Sequence, residues 1–586
     1  MYSTTAKLPF SHHSNWSPQP PPSLDGIDNI ELDIESTGLE WWKKDRPIGI
    51  AIGLPDGSTQ YLPWGHIGGN LSEGVVRDWA KKELRNKLIT NHTTKFDIHM
   101  MREWGVDLEE QGCTVSDVAH YAALLDDHRK RFSLDILSQD FLGEEKIQGL
   151  DKTAMADYHA GNVAAYAERD VELVHKLKKH LWPLLDEQDL QRVRQLEDDL
   201  IFPVCEMERN AAPIDVELLN EWVEESEQEY IRTLWEIHRE TGSLINPNSS
   251  KDLTKIFNKL KLPFTDYTEK GQPSFADSTL AKIDHPAIIL IRRAARLSSL
   301  RSKYLLPYQR SITPDNKLHY HLHQLRTDKK GTVRGRFSAT DKNVQAVLTA
   351  KKQIDRYGKE FVIRELYIPA SGLFFSADAS QIEYRLFAHY SGSPNLLNAY
   401  KDDPEINFHE TVQGMLKPFK PNIDYKRTKD LNFAKIYGAG RDKVAEMVGL
   451  PRQESDGFVN VYDRLFPEAH ILLKKATNVA ENRGYVKTIL GRRARFPDGK
   501  KAYAALNAII QGTAADIMKV KIIILHAVRK AFGYIPRFPV HDEACGDVPD
   551  KETAGSLGKL LNEQSFPLKV PILWEVKTGA NWGECG

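Results

Sequence analysis

Two separated groups of carboxylates in this sequence have the residue types and spacing that metal-assisted chemistry needs. In IELDIESTGL (residues 30–39), Asp33 and Glu35 stand two apart, so on a strand they project to one face while Leu32 and Ile34 turn to the core. Asp97 closes NHTTKFD just after a second strand-like run. Asp170 closes YAERD four residues after Tyr166, so on a helix these two share a face. The second group is Asp378, at the end of the apolar run in FFSADASQIEYRLFAHYSG, with Asp542 and Glu543 in VHDEA. That last segment lies between IPRFP and CGDV, a hairpin pattern with the acids at or near the turn. Hard cations such as Mg²⁺ prefer carboxylate oxygens. Two of them about 3.5–4 Å apart can activate an attacking oxygen and stabilise a leaving one at a phosphodiester. Taken singly, each feature also has a plainer reading: a half-buried strand with a solvated acidic face, a helix N-cap at Asp378, or a surface turn at Asp542.

Charge for a phosphate-bearing substrate would have to come from elsewhere. No G-x-x-x-x-G-K-[ST] occurs, so no P-loop cradles a triphosphate. In KRTKDLNFAKIYGAG, Lys429, Phe433 and Tyr437 fall at i, i+4 and i+8 and form one helical stripe. Read alone, that stripe is equally an amphipathic helix burying two aromatics, and His409 in NFHETV is equally a structural histidine. Basic residues gather at Arg292, Arg293, Arg296, Arg301 and Lys303. They gather again at Arg326, Lys329, Lys330, Arg334 and Arg336, and at Arg492, Arg493, Arg495, Lys500 and Lys501. The net charge of −2 would not by itself suggest a nucleic-acid binder, and any one cluster is also compatible with a solvated helix face.

The elements that must position these groups are legible in outline. The 586 residues, 41% hydrophobic and 27% charged, suit a soluble chain of about three to five folding units. IELDIES, IGIAIGLP and KLITNHT read as strands, with helices after Leu71 and Val115, which predicts an α/β domain over 27–185. From about Leu181 to Gln309 the pattern is helical and charged on one face. Beyond Asp315 short strands return among helices. The Pro-rich stretch before residue 27 predicts a flexible lead, and it has no apolar run of signal-peptide type. No apolar run reaches the ~18 residues a membrane span needs. Four scattered cysteines without a C-x-x-C pair predict neither a zinc site nor a disulfide framework and fit a reducing cytoplasm.

Taken together and in order, IELDIES, NHTTKFD and YAERD resemble the three exonuclease motifs of the proofreading domain of DNA polymerase I. DASQIEYRLFAH resembles motif A of that family, KRTKDLNFAKIYGAG motif B, and VHDE motif C. GTVRGRFSATDKNVQAV, GYVKTILGRRARFP and LNAIIQGTAADIMK fall where the family has related segments. The resemblance runs from about residue 28 to the C-terminus. It implies a multidomain α/β and α+β fold, an RNase H-like 3′→5′ exonuclease domain followed by a right-hand polymerase. The expected limits are 1–26 lead, 27–185 exonuclease, 186–325 thumb, 326–400 first part of the palm, 401–484 fingers and 485–586 second part of the palm. It also implies the absence of a preceding 5′-nuclease domain.

The resemblance further implies template-directed DNA synthesis with proofreading, in replication of a phage genome. Asp378 and Asp542 would hold two Mg²⁺ ions, and Asp33, Glu35, Asp97 and Asp170 two more, with Tyr166 orienting the attacking water; Mn²⁺ would substitute. Lys429 and His409 would meet the triphosphate, Phe433 and Tyr437 flank the sugar and base, and Glu383, in one turn with Ser380 and Gln381, exclude a 2′-hydroxyl. Arg336, Asn343, Gln345, Asn507, Gln511 and His541 would contact primer–template DNA through minor-groove acceptors. The implied partners are primer–template DNA, dNTPs, a single-stranded 3′ end and replisome proteins such as a helicase and a single-strand binding protein. The implied state is a monomer in the host cytoplasm, without a membrane. The sequence departs from the pattern at Tyr425, where the family has an arginine, leaving Lys426 or Arg427 for that contact, and at Tyr503, where it has a basic residue. The other readings carried forward are a single-subunit RNA polymerase relative and a DNA-binding nuclease with a degenerate polymerase half.

Overall fold

The structure, a computed structural model, describes residues 16–326, 332–349, 352–353 and 361–585; Lys329 and Lys330 of the second basic cluster and residues 1–15 of the expected lead lie outside them. Strands β1 (Asn29–Ser36), β2 (Pro47–Gly53), β3 (Thr59–Pro63), β4 (Leu88–Asn91) and β5 (Thr114–Asp117) form one sheet in the order β3-β2-β1-β4-β5. β1 pairs antiparallel with β2 and parallel with β4, which puts it at the centre. Its sequence fits that place: Ile30, Leu32 and Ile34 are buried, and β2 is apolar and buried throughout. The 28-residue helix Ala160–Glu187 packs across β1, β2 and β3.

The stretch 16–26 is a correction to the flexible lead. Proline has no N–H, but its carbonyl still accepts, and these carbonyls find donors. Trp79 Nε1 donates to Pro22 O at 2.6 Å, and Gln60 Nε2 to Gln19 O and Pro20 O. Leu24 is buried, with its N–H on Glu83 at 2.7 Å.

The helical stretch that follows is broken where the pattern ran on. Helices Gln191–Asp199 and Ile201–Asn210 meet at Leu200, because Pro203 has no N–H to give the carbonyl of Asp199. Helix Val216–Thr241 starts at Asp215, whose carboxylate accepts from Leu218 N at 3.0 Å, and ends at Gly242 in the left-handed region. It packs along Pro286–Leu300, which runs into a π-helical turn, Arg301–Leu305, where Leu306 N–H bonds to Arg301 O.

The second sheet is antiparallel, with Glu543–Val548 and Leu373–Ala379 in the middle, Ile535–Val540 and Trp574–Gly579 outside. The largely buried helix Ala505–Phe532 packs on Ile382–Ser391, on Pro467–Arg483 and on Ile535–Val540. Between the two parts of this sheet the chain makes the helices Pro394–Asp402, Phe408–Leu416, Tyr425–Ile436, Arg441–Val448, Arg452–Leu465 and Pro467–Arg483.

The helices after the first domain lock onto the long helix through a buried ionic cluster. Glu197 is fully buried, with Oε1 2.7 Å from Lys519 Nζ and an ion pair to Arg492. Arg492 Nε reaches Asp516 at 2.7 Å, and Thr488 Oγ1 donates to the same carboxylate at 2.6 Å. Gln324 donates to Glu197 and its carbonyl accepts from Lys519. Burial alone would raise the Glu197 carboxyl, but Lys519 and Arg492 outweigh it and hold it down at about 2. Burial lowers Lys519 to about 8 although Glu197 opposes it. Breaking such a pair from one side leaves an uncompensated buried charge, so Glu197→Gln should cost about 3–5 kcal/mol and lower the melting temperature. A carboxyl depressed on folding contributes stability that is present above its ordinary value of 4.5 and lost as pH falls toward 2. Thermal melts from pH 5 to pH 3 should therefore show a steeper loss for the parent than for Glu197→Gln.

Candidate active sites

The first centre lies on β1. Asp33 and Glu35 leave the same face of the strand, as their spacing predicts, and helix Thr94–Glu103 brings Asp97, whose Oδ1 accepts from Ile34 N at 3.0 Å. Tyr166 and Asp170 project from one side of Ala160–Glu187. Burial, then Asp170, pushes Asp33 up to about 7. Burial, then Asp33 and Asp170, holds Glu35 well above the usual range. Burial, then Asp33, does the same to Asp97. Burial also raises Asp170, against Lys146. All five residues expected here are brought together. Lys146 joins them unannounced, ion-paired to Asp170 and 3.2 Å from the Tyr166 hydroxyl. A lone lysine in a loop carries no signal in the sequence.

The second centre straddles the antiparallel sheet. Asp378 is directly opposite Glu543, and Ala379 N donates to Asp542 O at 3.0 Å, so strand pairing sets the two aspartates beside each other. The turn between the strands is His541–Asp542, with His541 at φ 55°. Gln345 holds it, accepting from His541 N at 3.2 Å and donating to Pro539 O. Glu543 is spoken for: Ser376 Oγ donates to it at 2.6 Å, Trp582 Nε1 at 2.8 Å, and Arg364 lies at 3.4 Å. Loss of bulk water, then Glu543 and Asp542, pushes Asp378 up to about 7. Burial pushes Asp542 up to about 6, Arg336 opposing and Glu383 assisting.

Arg336 pairs with Glu383 at 2.6 Å and stands 3.8 Å from Asp542. The Tyr437 hydroxyl lies 3.4 Å from Glu383 and accepts from Gln511 at 3.1 Å. Gln511 and Asn507 are buried and both bonded by Arg334, a residue of the RGR segment that sequence reasoning left without a role. Gln381, in the left-handed region at φ 51°, accepts from Phe408 N at 3.0 Å and ties the aspartate strand to the next helices.

Helix Tyr425–Ile436 carries Lys429, Phe433 and, as its C-terminal cap, Tyr437. Phe433 packs at 5.4 Å from Tyr384 and 6.0 Å from Tyr437. Lys429 is exposed, and among the described residues it forms no ion pair, whereas Arg427 is paired with Asp424 at 3.2 Å. His409 is buried, its Nδ1 accepting from Asn432 at 3.0 Å, and burial with Lys429 lowers it to about 4, so the ring is neutral with its proton on Nε2. Asn343 and His541 are exposed. A cleft of about 1390 Å³ separates the first domain from the rest, lined by Trp42, His92, Phe96, Phe132, His319 and Arg326 among others.

Among the described residues no three His, Cys, Asp or Glu side chains close on one point as a ready cage. Mg²⁺ does not need one: it keeps several waters and takes one or two carboxylates. The donors fit that ion. In the first centre Glu35 Oε1 and Asp170 Oδ1 are buried without a hydrogen-bond partner, and both centres crowd carboxylates until they resist ionisation.

The frame of sheet and helices is similar to a solved structure described as the POL domain of Pol1 from M. smegmatis in complex with DNA primer-template and dNTP. The TM-score is 0.80 at 23% identity, over 96% of each chain. The fold is thus that of a right-hand polymerase. The family model for DNA polymerase family A matches residues 216–584, and the chain belongs to that family. It is 30% identical to DNA polymerase DpoZ of Acinetobacter phage SH-Ab 15497, over 86% of this chain and 87% of the relative. It is 28% identical to DpoZ of Salmonella phage PMBT28, over 85% and 87%, and 26% identical to DNA polymerase I of Pseudomonas aeruginosa, over 96% and 64%.

A carboxyl raised on folding adds stability that is full below its ordinary value of 3.8 and is lost as pH rises through 6 to 7. The cation-free protein should therefore melt lower at pH 8 than at pH 6. Mg²⁺ should raise the melting temperature more at pH 8, and by less in Asp378→Asn with Asp542→Asn.

Proposed function

We propose that this family A DNA polymerase extends primers at the Asp378–Asp542 centre and trims 3′ ends at the centre of Asp33, Glu35, Asp97 and Asp170, in replication of a phage genome. The observation that carries the reading is the presence, in one chain, of two carboxylate centres on two different sheets, one buried and one open to solvent at Asp378. The reading divides the chain into a lead to residue 26, an exonuclease domain at 27–185, a thumb at 186–325, a palm at 326–400 and 485–586, and fingers at 401–484. Its partners are primer–template DNA, dNTPs and replisome proteins, and it acts as a monomer in the host cytoplasm. Among the described residues no helix is long and apolar enough to cross a membrane.

Each centre would take two Mg²⁺ ions on its aspartates and glutamates, or Mn²⁺ in their place. Bound there, such ions supply Lewis-acid charge at the attacking and leaving oxygens. The chain's own residues do the placing. Lys429, exposed on its helix, meets the triphosphate, and the neutral His409 donates from Nε2. Phe433 and Tyr437 stack against sugar and base. Glu383, held by Arg336 and Tyr437, closes the space a 2′-hydroxyl would enter. Asn507, Gln511, Arg336, Asn343, Gln345 and His541 line the path of the primer–template. In the first centre Tyr166 orients the attacking water. The aromatic and basic cleft between the domains suits a single strand passing from one centre to the other, by stacking and by charge.

A 5′-labelled primer on a longer template, with Mg²⁺, should lengthen when the four dNTPs are present and shorten when they are absent. Asp542→Ala should abolish lengthening and keep shortening, and Asp33→Ala with Glu35→Ala should do the reverse. Trimming that survives the latter pair would overturn the nuclease assignment, and a parent that only shortens would move synthesis elsewhere. Glu383→Ala should raise ribonucleotide incorporation roughly tenfold or more, about 1.4 kcal/mol of lost discrimination; an unchanged ratio of dNTP to rNTP use in single-nucleotide extension refutes the sugar role. Phe433→Tyr should increase dideoxynucleotide use in the same assay.

A further inference from the structure

The loop between helix Leu134–Leu142 and the short turn Met155–Asp157 carries two lysines over the first centre. Its near end is fixed to the helix that bears Tyr166 and Asp170. Arg169 Nη2 lies 2.7 Å from Glu144 and its Nε 3.2 Å from Glu145 O, and Lys176 reaches Glu144 at 2.8 Å. Lys146 N donates to Asp135 Oδ1 at 3.1 Å. From that anchored backbone the Lys146 ammonium enters the centre, bonds the Tyr166 hydroxyl and pairs with Asp170 Oδ2. Its side chain is only 12% exposed. Lys152 lies 5.6 Å from the centroid of the Tyr166 ring.

A solvated loop lysine would not be buried against Asp170 and Tyr166, and the contact is selective. Lys146 takes Oδ2 of Asp170 and leaves Oδ1 without a partner, as Glu35 Oε1 is left. The carboxylate is thus oriented while its other oxygen stays open for a cation. The charge count gives the reason for an extra ammonium. Four carboxylates are balanced by two divalent ions, and the phosphodiester, which gains negative charge as the water attacks, then has no counter-charge of its own. Preorganised positive charge at that point is worth most where water is excluded.

We propose that Lys146 is a positioning residue of the trimming reaction: it holds Asp170 and the Tyr166 hydroxyl in register and supplies the positive charge that balances the phosphate. The inference rests on the reading of this centre as a 3′-end nuclease. It is tested in the full-length chain with Lys146→Met and Lys146→Arg, by single-turnover trimming of a 5′-labelled single strand over a range of enzyme concentrations. Calorimetric titration with Mn²⁺ accompanies it, in a background of Asp378→Asn with Asp542→Asn that silences the other centre. Lys146→Met should lower the saturated trimming rate roughly 100-fold, with the half-saturating concentration nearly unchanged and part of the rate restored by Lys146→Arg. Removing a competing cation from Asp170 should also tighten Mn²⁺ binding, by up to about tenfold for one unit of lost ammonium influence. Primer extension reports that the chain is folded in the variants that keep Asp378 and Asp542, and the thermal melt does so in the silenced background. Trimming by Lys146→Met within threefold of the parent overturns the proposal, as does a slower rate accompanied by lost Mn²⁺ binding. Trimming that persists in Asp33→Ala with Glu35→Ala overturns the nuclease reading itself, whatever Lys146→Met does.

Discussion

A single buried carboxylate, Glu197, ties the halves of this molecule together. It lies on a short helix between the first domain and the remainder, and faces Lys519 on the long helix Ala505–Phe532 and Arg492 on the approach to it. Three further contacts repeat the arrangement along the same seam: Glu208 with Lys95 and His99, Glu109 with His526 and Arg529, and Asp127 with Arg495. Ion pairs of this kind contribute little net stability compared with apolar packing, but they are intolerant of misalignment. A seam made of them fixes the orientation of two domains more than it glues them.

The two centres solve one electrostatic problem in related ways. Each crowds carboxylates that resist ionisation, and each sets a cation of the chain against them. At the second centre Arg336 is shared between Glu383 and Asp542; in the first domain Lys146 is on Asp170. A guanidinium presents a planar fork and can serve two carboxylates at once, whereas an ammonium is a point charge on a flexible stem. The arginine therefore stands where two carboxylates must be held at once, and the lysine where one oxygen of a single carboxylate is engaged and the other is left open.

Much of this was legible in the sequence wherever geometry is local. The two-residue period of β1 set Asp33 and Glu35 on one face, the four-residue spacing set Tyr166 beside Asp170, and the dipeptide between two apolar runs set Asp542 at a hairpin. Local periodicity says which face a side chain takes, and not what a distant loop is laid over. Lys146 reaches its centre because Arg169 and Lys176 hold Glu144 from another element, and no window of sequence around the lysine records that. The pinning of the stretch before residue 27 and the use of Gln345 to hold the His541 turn have the same origin. Each is decided by a partner tens or hundreds of residues away. Arg334 and Arg336, two apart and alike in type, part company for this reason: one braces Asn507 and Gln511, the other the carboxylates.

The π-helical turn at Arg301–Leu305 lies in a helical run that touches two hydrophobic cores. An α-helix advances about 100° per residue, so the extra residue held in that turn re-aims everything after it. Before the turn, Ile288, Ile291 and Ala294 pack in a cluster with Ile237 and Phe257, and Leu297 and Leu300 already join the main core; within it, Arg301 donates to Val223 O and to Ser226. After it, the Tyr308 hydroxyl meets that of Tyr367 at 2.6 Å, inside the main core. One helical run thus serves two cores in succession. Deleting a single residue in the turn would rotate Tyr308 away from the core it now fills. A local irregularity is in this way protected by two folding units at once, and length changes in this connection should be tolerated in the loops that flank the helix rather than within it.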